Sequence, residues 1–162
     1  MKTSNSASSL QIEVWSDIMC PFCYIGKRKL EKALQEMGLS DEVSLEWKSY
    51  LLNPDLKGDP SLRVNQYLAE VKGWTLEQAR EMNQRVTEMA AEVGLVFHLD
   101  QSKLANSMDA HRLLHLAKAE CKQQAVSQAL FAAYFTEGKD VADVKILTNI
   151  GQAAGLSLAA LT

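Results

Sequence analysis

Apolar and polar positions along the chain change their period in a way that divides it into two kinds of structure. In QIEVWSD, residues 11–17, Ile12 and Val14 share one side while Trp15 is available to the other, which predicts a strand covered on both faces. From Cys20 the period lengthens. Cys23, Gly26, Leu30, Ala33 or Leu34, and Met37 form an apolar stripe with Lys27, Lys29, Glu31, Lys32 and Glu36 opposite, predicting an amphipathic helix that Gly38 ends. Residues 43–52, VSLEWKSYLL, alternate Val43, Leu45 and Trp47 against Ser44, Glu46 and Lys48, a second strand. A helix of crossover length between two strands makes a parallel, right-handed β-α-β unit.

NPDLKGDPS, residues 53–61, is a dense turn signal, and beyond it the helical period dominates. Helices are predicted over 62–71, 75–93, 107–120, 123–135 and 141–154, the second with Thr75 as cap and Gln78 three residues on. GLVFHL, residues 94–99, reads as a short extended segment. The expected organisation is a disordered leader over 1–10, a β-α-β unit over 11–60 and an all-helical inserted subdomain over 61–158.

Composition narrows the function classes. A chain of 162 residues suits one domain with a real core. Seventeen Lys and Arg against twenty Asp and Glu give a net charge of -3, and apart from Lys27-Arg28-Lys29, read as a solvated face, the basic residues are scattered. That balance argues against a nucleic-acid partner. The polar MKTSNSASSL start has no apolar stretch of signal-peptide length, so the cytoplasm is the expected address. The uncharged run at 146–162 is too short and too polar for a membrane span and reads as buried helix.

Three cysteines are too few for a disulfide scaffold, so their placement carries the chemistry. Cys20 and Cys23 fall at the start of the first helix, where unpaired N–H groups and the positive end of the helix dipole favour a thiolate on Cys20. Cys23, on the inward stripe, is expected to be shielded and suited to resolving a mixed disulfide. Pro21 fits the first helical turn without losing a hydrogen bond, and Phe22 is expected to project at the mouth as an apolar contact for substrate. Asp17 and Lys27 are candidate electrostatic neighbours of Cys20.

A CxxC pair alone is also compatible with half a zinc site or with inert core thiols. Zinc would need Cys121 with His98, His111 or His115 to converge on the pair, and no ligand spacing suggests it. His111 and His115 share a helical face without an HEXXH pattern, so they read either as core-edge histidines or, with Arg112, as residues turned toward the redox cleft. Cys121 reads as a small buried hydrophobe beside Ala110, Leu114 and Ala117. Trp15, Trp47, Trp74, Phe131, Tyr134 and Phe135 read as packing, and Tyr24 as packing or as a hydroxyl bordering the cleft.

IEVWSDIMCPFCYIGKRKLEKAL resembles the opening of the DsbA-like thioredoxin-fold oxidoreductases, in particular their cytoplasmic FrnE-type branch, and LANSMDAHRLLHLAK, residues 104–118, resembles that branch's helical-insertion motif. Trp47 and Leu51-Asn53-Pro54 match its spacing, and the likeness extends over about residues 11–158. The resemblance implies an α/β, thioredoxin-like fold interrupted by a helical subdomain. It implies Cys20 as nucleophile, Cys23 as resolving thiol, and Asn106, His111 and Arg112 near the cleft. The implied activity is thiol–disulfide exchange or isomerisation on protein or small-molecule disulfides, with no cofactor or metal and with glutathione as a conceivable substrate. Kappa-class glutathione transferases and 2-hydroxychromene-2-carboxylate isomerases share the superfamily but carry serine in place of Cys20, and a glutathione-dependent enzyme of that type is the alternative. A chaperone-like protein with non-catalytic cysteines is another. In the family a loop ending in a cis-proline, a hairpin and a final helix follow the insertion. Here prolines occur only at 21, 54 and 60, and residues 159–162 stand where that return would begin. The expectation is therefore half of the thioredoxin fold, with an open sheet edge through which two copies could associate as a homodimer.

Overall fold

The computed structural model describes residues 10–157, so the expected leader, apart from Leu10, and the return segment at 159–162 lie outside the described residues. Strand β1 (Leu10–Ser16) and strand β2 (Val43–Ser49) pair in parallel, Ile12 opposite Leu45 and Val14 opposite Trp47, with helix α1 (Pro21–Glu36) between them in sequence. This is the anticipated β-α-β unit. Gly38 ends α1 at φ 69°, a left-handed conformation that a side chain would strain.

The faces differ from the expected ones. Only one side of β1 is covered: Ile12 and Val14 are half-buried, while Trp15 is 58% exposed. Its side of the sheet is polar, with Lys48 bonded to Glu13 (2.6 Å), Gln11 to Glu46 (2.8 Å), and the Lys48 ammonium 5.3 Å from the Trp15 ring centre. On α1 the buried residues are Tyr24, Ile25, Lys27 and Leu34, whereas Gly26, Ala33 and Met37 are exposed. The inward face is thus rotated from the apolar stripe, because the helix is held by aromatic contacts to the helical subdomain and by Trp47. Lys27 is correspondingly not on a solvated face but 1% exposed. Its stem lies in the core, its ammonium sits 5.4 Å from the Trp47 ring centre and pairs with Glu31, and burial pushes its pKa down.

The segment after β2 is not all turn and helix. Strand β3 (Asp59–Arg63) pairs antiparallel with the two-residue β4 (Lys103–Leu104), a second small sheet. Asp59 accepts from the Ser61 amide at 2.9 Å, and the chain stays extended through Arg63, so α2 (Val64–Lys72) begins later than the periodicity predicts. Helix α3 (Leu76–Ala91) starts at the predicted cap: Thr75 Oγ1 accepts from the Gln78 amide (3.1 Å), and Gln78 Oε1 accepts from the Thr75 amide (2.9 Å).

The GLVFHL stretch is extended without joining a sheet. Leu95, Phe97 and Leu99 alternate inward, and the backbone fastens to the end of helix α5 (Gln123–Phe135) through His98 N–H to Phe135 O at 2.7 Å. Helices α4 (Met108–Ala119) and α6 (Val144–Ala153) complete the subdomain. One core joins it to α1, including Tyr24, Ile25, Phe97, Leu114, Phe131 and Tyr134. Trp74, by contrast, is half-exposed beside α3. Cys121 departs from its expected place: α4 has ended, the residue takes φ 57° in the turn to α5, and its side chain is exposed. No helix among the described residues is long and apolar enough to cross a membrane.

The reciprocal cap of α3 gives a first expectation. Thr75→Ala removes one acceptor from the helix start without touching the core, and a loss of about 1 kcal/mol of folding stability is expected in chemical denaturation.

Candidate active site

The site forms where β1 runs into α1. Ser16 closes the strand, residues 17–19 turn, and Cys20 occupies the cap position of α1 with extended backbone angles (φ -93°, ψ 112°). Pro21 takes the first helical position, where its ring presets the helical φ and no N–H is required. Cys20 N–H donates to Asp17 O at 3.1 Å, and Cys23 N–H to Cys20 O at 3.1 Å, so both cysteines are fixed by the turn itself. Both thiols are half-buried. The expected shielding of Cys23 relative to Cys20 is thus not seen, and Phe22 between them projects outward at 56% exposure.

The two thiols titrate as a pair. The Cys20 thiol donates to Cys23, and this holds the Cys23 pKa down at about 6 against the opposing effect of burial, with the Ser16 hydroxyl and the Asp17 amide adding to the lowering. Cys20 is pushed up by the same hydrogen bond and by burial, although the backbone amides of Cys23 and Phe22 at the helix start act to lower it. The expected thiolate is thus a property of the pair and does not belong to Cys20 alone. Ser16 Oγ is buried and has no partner of ordinary hydrogen-bond geometry among the described residues, which leaves it turned to the Cys23 sulfur.

Asp17 binds the elements together. Burial acts to raise its pKa, but the imidazole of His111, the Leu52 amide, the Ser107 hydroxyl and the Met19 amide outweigh it and bring the pKa below the ordinary carboxylate value. The contacts are Leu52 N–H at 2.7 Å, Met19 N–H at 3.1 Å and His111 Nε2 at 3.3 Å. Since a carboxylate only accepts, Nε2 donates to it, while Nδ1 is buried and unpartnered among the described residues. Asp17 and His111 are each 3% exposed.

Of the residues singled out from sequence, Asp17, Cys20, Pro21, Phe22, Cys23 and His111 come together here. Asn106 acts beside the site as a clamp: its amide donates to Leu56 O (2.8 Å) and its oxygen accepts from Met108 N–H (2.8 Å), joining the loop after β2 to the start of α4. Arg112 does not face the cleft. It is exposed on α4 and paired with Asp109 at 2.7 Å, one residue round the helix from His111. Tyr24 is excluded too: its ring is buried and stacked on Phe131 at 4.7 Å, and its hydroxyl accepts from Gln128 at 2.6 Å. Lys27 is committed to Glu31 and Trp47. Ser16 and Ser107 were missed, since a serine carries no periodic signal, although the Ser-Asp pair leading into the CxxC turn offered a hint for the first.

The histidines do not converge. His115 meets Ser49 at 3.2 Å and His98 meets Thr136 O at 2.7 Å, and no cluster of three or more metal-ligand side chains occurs among the described residues.

The coupling of the thiols sets one expectation. In the reduced wild type the thiolate absorbance is expected to rise near pH 6, and in Cys20→Ala, which lacks the neighbouring thiol, to rise at a pH higher by about a unit or more, the value of a charge-assisted hydrogen bond. Asp17 sets another. Its folded pKa lies below its unfolded one, so its stabilising contribution is complete above the ordinary carboxylate range and disappears as pH falls through the folded value. The stability gap between wild type and Asp17→Asn, measured by thermal unfolding, should be widest near neutrality, begin to narrow at about pH 4 and close only below the folded pKa.

Comparison with known proteins places the chain among relatives. The uncharacterized protein YwbO of Bacillus subtilis is 27% identical over 155 residues, which cover 91% of this chain and 68% of YwbO. A crystal structure from Streptomyces coelicolor, described as the probable DsbA oxidoreductase SCO1869, superposes with a TM-score of 0.87 at 31% identity over 94% of this chain and 65% of that one. The chain thus spans about two thirds of the length of these relatives. Residues 11–162 match the DSBA-like thioredoxin domain, and the chain belongs to that family.

Proposed function

We propose that the chain supplies the redox centre of a thiol–disulfide oxidoreductase working through Cys20 and Cys23. The observation that carries this reading is the CxxC pair at the cap and first turn of α1, where the Cys20 N–H is held by Asp17 O and the Cys23 pKa is lowered to about 6 by its partner thiol. A pair with one lowered pKa supplies a thiolate nucleophile near neutral pH.

In the oxidising direction a substrate thiolate attacks one sulfur of the Cys20–Cys23 disulfide. A mixed disulfide forms and the other sulfur leaves as thiolate. A second substrate thiolate then attacks the mixed disulfide, so the substrate leaves as disulfide and the protein as dithiol, two electrons and two protons having passed to the cysteines. In the reverse direction Cys20, beside the outward Phe22, passes its proton to Cys23 and attacks a substrate disulfide, so that a mixed disulfide forms and one substrate sulfur leaves as thiolate. Cys23 then gives the proton to that thiolate and attacks the Cys20 sulfur, closing the protein disulfide as the second substrate sulfur leaves as thiolate, and the same steps permit isomerisation. The exposed Phe22 ring suits an apolar segment of an unfolded protein, and glutathione fits as a small-molecule partner.

Equilibration in glutathione buffers followed by thiol trapping and intact mass measurement tests the reading. A reversible loss of two protons across a defined potential is expected, with Cys23→Ser accumulating a mixed disulfide on Cys20. A pair that never joins under oxidising buffer would refute it.

A further inference from the structure

His111 is placed where sequence order alone would not put it: 94 residues from Asp17, buried, and joined to the redox turn only through that carboxylate. Asp17 in turn reaches both cysteines. Its carbonyl accepts from Cys20 N–H at 3.1 Å, and its amide acts to lower the Cys23 pKa, so the carboxylate is carried by the residue that opens the redox turn. The carboxylate charge opposes a thiolate on Cys23, and anything that offsets that charge favours the reduced, ionised form.

We propose that His111 is a positioning residue for the redox pair: by donating through Nε2 to the Asp17 carboxylate it offsets the negative charge facing Cys23, and so sets how strongly the disulfide oxidises its partner. This rests on the disulfide-exchange reading above. The relevant equilibrium is protein disulfide plus two glutathione thiols giving protein dithiol plus glutathione disulfide, two electrons and two protons passing to the protein. A better-stabilised Cys23 thiolate moves it toward dithiol. The helical subdomain thereby contributes to the potential through the carboxylate, since the charged and titratable groups around it are few among the described residues. They are His111 from α4, the cysteine pair from α1, and Tyr134 from α5, whose hydroxyl is engaged with Lys103 O and whose pKa the Asp17 charge helps to raise. Ser107 supplies an uncharged hydroxyl, and the amides of Leu52 and Met19 keep the carboxylate ionised if the imidazole is lost.

A pair of substitutions separates this charge effect from simple loss of a contact. His111→Leu and Asp17→Asn both disrupt the same hydrogen bond. The first leaves the carboxylate charge less offset and the second removes the charge. Their effects on the glutathione equilibrium should therefore be opposite in sign. His111→Leu is expected to shift the equilibrium about threefold toward disulfide, half a unit of Cys23 ionisation, and Asp17→Asn by a similar factor toward dithiol. His111→Gln, which retains an N–H donor, should return close to wild type, and in an Asp17→Asn background His111→Leu should have little further effect. Thiolate titrations of the same proteins should move in parallel. Each variant is checked for cooperative thermal unfolding, and if His111→Leu does not fold, His111→Phe takes its place. Shifts of the same sign in His111→Leu and Asp17→Asn, or an unaltered equilibrium in a folded His111→Leu, would overturn the proposal while leaving disulfide exchange standing. A wild type with no reversible couple would instead remove the reading beneath it.

Discussion

The Asp17 carboxylate holds together parts of the chain that have no other reason to meet at this point. It accepts an amide from the redox turn, an amide from the segment leaving β2 and the imidazole of α4, so the two strands and the helical subdomain are referenced to one pair of oxygens. A buried carboxylate without such donors would cost several kcal/mol of desolvation. With them it is ionised, and its position is fixed on several sides. The cysteine geometry follows, because the carbonyl of the same residue accepts from Cys20.

Behind this polar joint lies an aromatic one. Tyr24 follows Cys23 directly, and its ring stacks on Phe131 at 4.7 Å with Phe97 and Phe135 close by. Contacts of this kind contribute about 0.5–1.5 kcal/mol each beyond the area they bury. Polar and aromatic joints act on opposite sides of the same helical turn. The CxxC segment is consequently carried by the subdomain core as much as by the sheet, and the thioredoxin-like unit and its helical insertion share one interior.

Much of this architecture was legible in the sequence, and the limits have physical causes. Strand β2 and helices α1, α3 and α5 lie close to where period and capping put them, because Trp47, Thr75 and the Gln123–Phe135 run act through neighbours near in sequence. The inward face of α1 was misassigned because it is set by Tyr24 and Trp47 contacts, not by the count of apolar residues. Lys27 was misread for the same reason, its stem being apolar enough to bury while its charge finds Glu31. β3 and β4 escaped because a two-residue strand has no period. In the site, Cys20, Cys23 and Pro21 announced themselves by spacing, and likeness to a family pointed toward His111. That His111 and not Arg112 turns inward is settled by one step of helical rotation on α4.

The separation of 94 residues between Asp17 and His111 also bears on how the molecule is made. At a synthesis rate of about 5–20 residues per second, roughly 5–20 s pass between the appearance of the carboxylate and that of its imidazole partner. Contacts this distant in sequence raise the contact order and delay the final assembly of the turn. During that interval Cys20 and Cys23 are present on the ribosome without the scaffold that pairs them. The nascent chain is then open to mixed disulfides with other thiols.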